Sequence, residues 1–405
     1  MTAAAAPTHR IEVPSGFLFS AVVAGIKASG RPDLACARIL EGASAAAMFT
    51  MNRVVAAPLE VDREHLKRSR GRISFLIVNA GNANCATGAA GRRDCELVCR
   101  EAAGLLKVRA QSVFPSSTGV IGVRLPAQKI VHALPELIAA STAGEQGAES
   151  FARAIMTTDT RPKIASRRIS TGNSSFVLLG IAKGAGMIHP NVATMLVYLF
   201  TDVEASPREL QPLLRAACDN SFNCISVDGD TSTNDTVLLL ANGASGVSLR
   251  SPGVHAKFTQ ALNEVCREIA LQIISDGEGV KHVIRLRIEQ ARDRNEAMQI
   301  ARTIAHSPLV KTAWAGADPN WGRILAAAGR SGVALDPRRI NIFFGDLQMC
   351  RGGVATQFNE RKAHTYLLQP QYEVRVQLGR GRASLDFLTC DLTTNYVHIN
   401  ADYTT

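Results

Sequence analysis

One stretch of this 405-residue chain carries most of the information about its architecture: Lys183-Gly-Ala-Gly-Met-Ile-His-Pro-Asn-Val-Ala193-Thr194-Met-Leu196. This pattern predicts a glycine-rich turn that contains a proline, followed by an apolar strand that begins with a threonine. The simplest interpretation is structural, because threonine favours strands and commonly begins them. The alternative interpretation is chemical, since a threonine held at the head of a rigid strand can act as a nucleophile.

The chemical interpretation requires the chain to be cut before Thr194. A threonine hydroxyl is a poor nucleophile unless a base stands beside it. Cutting the Ala193–Thr194 bond would free an α-amine on the same residue, with a pKa of about 8, and this amine can take the hydroxyl proton near neutral pH. Strain in a glycine-rich loop before a rigid strand is one physical way to promote such a cut.

A second segment of small residues is Pro115-Ser-Ser-Thr118-Gly119-Val-Ile-Gly122. It is typical of a turn, but it also suits an oxyanion hole, in which a hydroxyl and neighbouring backbone N–H groups stabilise developing negative charge. Because Gly119 has no Cβ, a substrate could approach the backbone closely at that position.

Two further polar segments superficially suggest ligand loops. Residues 79–88, Asn-Ala-Gly-Asn-Ala-Asn-Cys-Ala-Thr-Gly, lack the order of a phosphate loop, so a tight strand-to-helix turn is favoured. Residues 228–235, Asp-Gly-Asp-Thr-Ser-Thr-Asn-Asp, lack the central glycine and terminal glutamate of a calcium loop, which favours an Asx-rich turn before a strand.

The last two motifs are acidic or terminal. Residues 275–279, Ser-Asp-Gly-Glu-Gly, follow a long helical pattern and are typical of a glycine-terminated helix end with exposed acids. The alternative for Glu278 is a carboxylate that binds an amino group of a ligand. The terminal residues 400–405 are polar, and fraying is the default expectation for a chain end.

Apolar periodicity predicts alternating helices and strands along the whole chain. The predicted helices are 94–106, 127–140, 149–156, 207–220 and 254–274, and the predicted strands are 74–78, 175–181, 195–200, 236–240, 283–288, 340–344, 372–378 and 383–389. The last two strands are separated only by Gly-Arg-Gly-Arg, which predicts a hairpin. This mixture favours an α+β fold with helices layered on sheets.

Composition narrows the class of protein. The net charge is +10, yet the basic residues lie in short separate clusters without interleaved aromatics, so nucleic-acid binding is disfavoured. The nine cysteines include no CxxC pair and no histidine cluster completes a metal site, which predicts buried reduced thiols and no metal. No segment is typical of a signal peptide or membrane span, so we expect a cytoplasmic protein without membrane contact.

Eight segments in order resemble the ornithine acetyltransferase family, the glutamate N-acetyltransferases of arginine biosynthesis. They cover the chain from near its start to its end: 49–58, 78–84, 116–122, 154–160, 183–196, 227–236, 318–323 and 396–405. The resemblance implies a layered αββα fold of the DmpA type, related to N-terminal-nucleophile hydrolases. It also implies self-cleavage between Ala193 and Thr194 into an alpha segment, residues 1–193, and a beta segment, residues 194–405, which form one catalytic unit.

The resemblance also implies roles for individual residues. Thr194 matches the nucleophile, and Thr118 and Gly119 match the oxyanion-hole pair. Positions that contact substrate in the family match Thr157, Lys183, Thr194, Glu278, Asn400 and Thr405; Thr158 is the neighbouring alternative to Thr157. After Glu278 and Gly279 this chain departs from the family by carrying Val280, Lys281 and His282, which adds positive charge near the carboxylate.

The implied reaction moves the acetyl group of N2-acetyl-L-ornithine to L-glutamate through an acetyl-threonine enzyme. No cofactor is implied, and the resemblance suggests an assembly of two alpha and two beta segments. Whether acetyl-CoA is a second donor, as in a bifunctional enzyme, stays open. The alternative function on the same fold is an aminopeptidase or amidase, in which water accepts the acyl group.

Overall fold

The structure is a computed structural model that describes residues 10–189 and 195–402. The strands of the described residues are β1 (Phe17–Val22), β2 (Leu34–Phe49), β3 (Arg72–Asn82), β4 (Val113–Val120), β5 (Lys163–Thr171), β6 (Ser174–Lys183), β7 (Leu196–Thr201), β8 (Ile225–Ser226), β9 (Thr236–Ala241), β10 (Val283–Ala291), β11 (Asn341–Phe344), β12 (Leu347–Arg351), β13 (Val354–Ala355), β14 (Gln371–Gln377) and β15 (Ala383–Cys390). The helices are α1 (Ala57–Ser69), α2 (Gly88–Leu106), α3 (Ala127–Ala139), α4 (Glu145–Ala154), α5 (Pro207–Asp219), α6 (Val254–Ser275), α7 (Arg294–Ala305), α8 (Pro308–Ala315), α9 (Trp321–Gly329), α10 (Glu360–Leu367) and α11 (Thr394–Asp402).

The first sheet bends at the long strand β2. The first part of β2 pairs with β1 and β3, and its last part, from Ser44 to Phe49, pairs with β9. The register shifts between Arg38 and Ala43, where the strand turns from one half of the sheet to the other. The strand order is therefore β4-β3-β2-β9-β7-β6-β5, with β1 attached to β2.

The two halves of this sheet pack face to face and are covered by helices outside. Phe19 of β1 packs edge-on against Phe200 of β7, with ring centroids 5.0 Å apart, inside one buried apolar cluster. The outer face of the first half is buried by α2 and α3, and that of the second half by α5 and α6. These four layers confirm the predicted α+β class and its αββα arrangement.

A second sheet follows in the order β13-β12-β11-β14-β10-β15-β8. Helices α7 to α10 pack on it and share its separate apolar core with the three fully buried β10 residues Ile284, Leu286 and Ile288. Strand β8 of this sheet comes from the middle of the chain, and Cys390 at the end of β15 packs in the apolar cluster of the first sheet and its helices. The first sheet and the second sheet are therefore joined at β8 and β15.

The predicted hairpin of residues 372–378 and 383–389 is wrong, although both strands exist. Strand β10 lies between them, parallel to β14 and antiparallel to β15. The Gly-Arg-Gly-Arg segment crosses over the end of β10, where the N–H of Arg380 donates to the carbonyl of Gln290 at 2.8 Å. Strand β10 alternates apolar and charged residues, buries Ile284, Leu286 and Ile288 against the helices, and has hydrogen-bonded neighbours at both of its edges. This packing and complete backbone pairing override the short connection.

The expected boundary between residues 193 and 194 comes, in chain order, between two strands of the same sheet. Strand β6 ends at Lys183, strand β7 begins at Leu196, and the two strands are antiparallel neighbours, with Lys183 opposite Leu196. Ala193 and Thr194 themselves lie outside the described residues. All nine cysteines are buried and free of disulfides. No helix of residues 10–189 and 195–402 is long and apolar enough to cross a membrane.

Candidate active site

A pocket opens where the ends of β4 and β6, the end of α6 and the helix α11 come together. The structure brings into it every described residue that was predicted for the site: Thr118, Gly119, Thr157, Lys183, Glu278 and Asn400. Thr158 lines the same pocket, so both neighbouring threonines face it. The predicted residues Ala193, Thr194 and Thr405 lie outside the described residues.

Thr118 and Gly119 sit at the end of β4, beside the end of β3. Gly119 has a φ of 132°, and a Cβ there would lie 2.5 Å from the backbone nitrogen of Asn82. Glycine is therefore required by the neighbouring strand as well as by the conformation. The sequence interpretation had linked the missing Cβ to substrate access, and the close approach of β3 is a second reason.

Buried asparagines hold the strand that carries Thr118. The side-chain amide of Asn234 donates to the carbonyls of Ser117, at 2.8 Å, and of Ala83, at 2.7 Å. The Ser117 hydroxyl donates to Oδ1 of Asn79 at 2.6 Å. The asparagine-rich stretch first interpreted as a strand-to-helix turn continues β3 to Asn82, and its side chains fix the geometry of the predicted oxyanion site.

Lys183 ends β6 and is 5% exposed, with Gly184 following at a φ of 152°. Burial lowers the pKa of the Lys183 ammonium, while the nearby carboxylates of Asp159 and Glu278 oppose that shift. Because Lys183 is buried, water solvates its ammonium group poorly. A carboxylate group that enters the pocket can therefore pair with this ammonium group.

Thr157 also lines the pocket and is held in place by Asp159. The backbone N–H of Thr157 donates to Oδ2 of Asp159 at 3.0 Å. Burial opposes ionisation of Asp159, but the ammonium groups of Lys163 and Lys183 beside it hold the pKa of its carboxyl well below the usual value. Asp159 is consequently an ionised anchor, and sequence analysis had not singled it out.

Glu278 enters the pocket from the loop after α6. Its backbone N–H donates to the carbonyl of Ala185 at 3.0 Å, and its Oε2 accepts from the side-chain amide of Asn400 at 2.9 Å. The acids of this loop are less exposed than the helix-end interpretation predicted, because Asp276 is buried and Glu278 is half-buried. Helix α11 continues to Asp402, so the expectation of fraying is wrong for residues 400–402, and residues 403–405 lie outside the described residues.

The segment 228–235 contributes pocket residues that sequence analysis had assigned only to a turn. The Asx turn itself is confirmed, since Asp230 N–H donates to Oδ1 of Asp228 at 3.1 Å. The same segment lines the pocket with Asp228, Asp230, Ser232, Thr233 and Asn234. Burial raises the pKa of Asp228 to about 6, and its carboxylate accepts from the backbone of Met187 and Ile188 at 2.6 and 3.0 Å.

A buried carboxyl also lies at the start of β7. The backbone N–H of Met195 donates to Oδ1 of Asp235 at 3.1 Å, and Thr236 N–H donates to the carbonyl of Met195. Burial raises the pKa of Asp235 well above its ordinary value. These contacts fix the backbone of Met195 directly before β7.

The chemistry of the pocket follows from two side chains of opposite charge and from the polar groups at the end of β4. Lys183 provides a cation, Glu278 provides an anion, and Thr118 with Gly119 provides a hydroxyl and a backbone N–H. This set suits a small zwitterionic molecule such as an amino acid. Among the described residues, no group of three or more histidine, cysteine or acidic side chains is placed to hold a metal ion.

Comparison with known proteins identifies the family. The ArgJ family model matches residues 18–405. Proteins named arginine biosynthesis bifunctional protein ArgJ are 47% identical in Methylococcus capsulatus, over 395 residues, and 42% identical in Chlorobaculum tepidum, over 390 residues; each alignment covers 96% of both chains. A crystal structure of the Bacillus halodurans protein of that name is 39% identical, covers 50% of this chain and 96% of that chain, and has a TM-score of 0.48. Because the family model and both named relatives match nearly the whole sequence, the chain belongs to the ArgJ family.

Proposed function

We propose that this protein is a glutamate N-acetyltransferase that moves the acetyl group of N2-acetyl-L-ornithine to L-glutamate. The observation that carries the proposal is the joint presence, in one pocket, of Lys183, Glu278 and the Thr118–Gly119 strand end. An acetylated diamino acid offers a carboxylate, an ammonium group and an acetyl carbonyl, and each of these has a counterpart among those residues. The curated relatives carry a name that places them in arginine biosynthesis.

The first half of the reaction forms an acetyl-enzyme. The Thr194 hydroxyl loses its proton to the α-amine of the same residue and attacks the acetyl carbonyl of the substrate. The Thr118 hydroxyl and the Gly119 N–H donate to the oxyanion of the tetrahedral intermediate. The intermediate collapses by breaking the amide C–N bond, and the α-ammonium returns its proton to the departing ornithine nitrogen.

The second half reverses these steps with a different amine. The α-amino group of L-glutamate attacks the acetyl-threonine ester, the same oxyanion site stabilises the intermediate, and N-acetylglutamate leaves as Thr194 regains its proton. Lys183 binds the α-carboxylate in both halves, because this group is common to both amino acids. Glu278, with Asn400, binds the side-chain ammonium of ornithine. Thr157 and Thr405 complete the substrate contacts in this proposal.

The proposal extends to processing and assembly. Cleavage between Ala193 and Thr194 gives segments 1–193 and 194–405, which stay associated, two of each, in a cytoplasmic heterotetramer. Because the curated relatives are named bifunctional, we also assign acetyl-CoA as a second donor, so that the acetyl-enzyme forms from either acetylornithine or the thioester.

The test combines mass analysis with a turnover assay. Denaturing mass spectrometry of the purified parent is expected to give two fragments that meet at Ala193 and Thr194, and Thr194→Ala is expected to give one intact chain. The cut parent should release ornithine from acetylornithine faster when glutamate is added. An uncut parent with full activity would refute the N-terminal nucleophile, and release that ignores glutamate would favour an amidase.

A further inference from the structure

We propose that a buried bridge formed by Asp159, Lys163 and Asp276 sets the spacing between the two charged walls of the pocket and thereby selects the length of the diamino acid that binds. Lys163 is a positioning residue in this scheme, because it acts through its neighbours and does not line the pocket. The inference rests on the proposed function insofar as Lys183 and Glu278 bind the two ends of the substrate.

The bridge is a carboxylate–ammonium–carboxylate arrangement inside the protein. Lys163 Nζ lies 2.6 Å from Oδ1 of Asp159 and 2.7 Å from Oδ2 of Asp276. The side chains of Lys163 and Asp159 are 0% exposed and that of Asp276 is 4% exposed. Charged groups are rarely buried this completely unless they are paired, so the geometry of the three groups is mutually fixed.

One end of the bridge is tied to the wall that carries the cation. Oδ1 of Asp159 accepts from the backbone N–H of Gly184 at 2.7 Å, directly after Lys183. Its Oδ2 accepts from the N–H of Thr157 at 3.0 Å. A single carboxylate therefore fixes the backbone at the pocket residue Thr157 and directly after the pocket residue Lys183.

The other end is tied to the wall that carries the anion. Asp276 accepts from both the backbone N–H of Thr160, at 3.0 Å, and the Thr160 hydroxyl. It lies two residues before Glu278 in a short glycine-containing loop. A displacement of Asp276 would consequently shift Glu278 relative to Lys183, and this separation decides how many methylene groups fit between a bound carboxylate and a bound ammonium.

The bridge also crosses the proposed cleavage point. Asp159 and Lys163 belong to residues 1–193, whereas Asp276 belongs to residues 194–405. The spacing of the pocket is thus held by contacts that do not depend on an intact chain. Removing Lys163 would take away the ammonium group that both buried carboxylates share and would leave only the more distant Lys183 and Arg161 near them. This predicts movement of the loops and not only a loss of one contact.

The experiment compares L-ornithine with L-lysine, which is one methylene longer. Calorimetric Kd values for both amino acids, and KM and kcat values for their N2-acetyl forms, are measured on the parent, Lys163→Met and Asp276→Asn. Asp276→Asn keeps the side-chain size and leaves the buried pair Asp159–Lys163 neutral overall, so it is the milder variant. The parent should prefer ornithine by about tenfold or more, as one methylene commonly permits, and both variants should bring the preference within about threefold, mainly through Kd and KM.

Lys311→Met is the matched control, because Lys311 is also a buried lysine but donates to the carbonyl of Cys390, contacts neither Asp159 nor Asp276 and does not line the pocket. It should lower the melting temperature without changing the ornithine preference. An unchanged preference in Asp276→Asn, or equal losses for both ligands, would overturn the inference. Because binding is measured without turnover, a parent that selects ornithine but transfers no acetyl group would count against the proposed function alone, and a parent that binds neither ligand would refute both.

Discussion

Gly186 makes room for the carboxylate of Glu278. A Cβ built on Gly186 would lie 2.5 Å from Cδ of Glu278, much closer than van der Waals contact permits. The backbone at Gly186 has no positive φ that would itself demand glycine, so the requirement comes from the neighbouring carboxylate. The glycine-rich turn before the strand therefore supports the anionic wall of the pocket.

Replacing Gly186 by alanine should displace Glu278 and weaken binding of the substrate ammonium. We expect Gly186→Ala to raise the KM for acetylornithine about tenfold or more, since a charge-assisted hydrogen bond is worth about 1.5–3 kcal/mol. Steady-state kinetics check this result. Gly104→Ala is the control, because nothing lies within 4 Å of its added Cβ, and it should leave KM unchanged. A Gly186→Ala protein with the parent KM would contradict the assignment of Glu278.

The hydroxyl of Thr118 should be needed for turnover. Thr118→Val keeps the shape of the side chain and removes only the donor, which should lower kcat by about 10²–10³. Thr118→Ser keeps the donor and should retain most of the activity. Melting curves of the three proteins are expected to coincide. Parent-like kcat in Thr118→Val would remove Thr118 from the oxyanion site.

Substrate affinity should weaken at alkaline pH. Burial lowers the pKa of Lys183 from its ordinary 10.5, so the ammonium is lost at a lower pH than in a free lysine. The neutral amine cannot pair with the substrate carboxylate, and KM should therefore rise as pH increases from about 7 towards 10.

Lys183→Arg supplies the comparison for this pH profile, because arginine stays protonated over that range. Its KM should be flatter with pH, even if its absolute value differs from that of the parent. The ammonium group of the substrate titrates in the same way with both proteins, so it does not affect the ratio of their KM values. Parallel KM profiles would show that Lys183 is not the group responsible.

Stability should depend on pH through Asp62, which does not line the pocket. Asp62 in α1 is fully buried, and within the described part of the chain neither carboxyl oxygen has a hydrogen-bond partner. Burial, with a smaller effect of Cys95, raises the pKa of Asp62 well above 3.8. The neutral acid's contribution to stability is fully present below about pH 4 and is lost as pH rises through the folded-state pKa.

Asp62→Asn removes this ionisation while it keeps a side chain of similar size. Within that pH window the parent should lose up to about 1.4 kcal/mol of unfolding free energy per pH unit relative to the variant. Urea unfolding at several pH values between about 4 and 8 measures the difference. A difference that does not change with pH would disprove the raised pKa.

Local patterns predicted most elements of the layered core but not how distant strands pair. Strand β7 is recognisable in the sequence as an apolar segment, and its buried residues alternate between two cores. The ends of α3 and α5 match their predicted ends to within one residue. The hairpin prediction failed because the short connection between β14 and β15 gives no information on β10, which comes much earlier in the chain and lies between the two strands.

The site shows the same division between local and distant information. Thr118, Lys183 and Glu278 could be proposed from ordered motifs, because each lies in a recognisable segment. Asp159 and Asp276 could not, since a carboxylate reveals its role only when the lysine it binds is known. Each looked like an ordinary loop acid until the fold placed both within hydrogen-bonding distance of Lys163.

The pairing of β6 with β7 has a thermodynamic consequence for a cut chain. Before cleavage, unfolding is a property of one molecule, and the melting temperature does not depend on protein concentration. After cleavage between residues 193 and 194, the same hydrogen bonds join two polypeptides, so that unfolding also releases a subunit and the melting temperature rises with concentration. The mature protein would then behave as an obligate complex whose two parts met only once, during the folding of a single precursor.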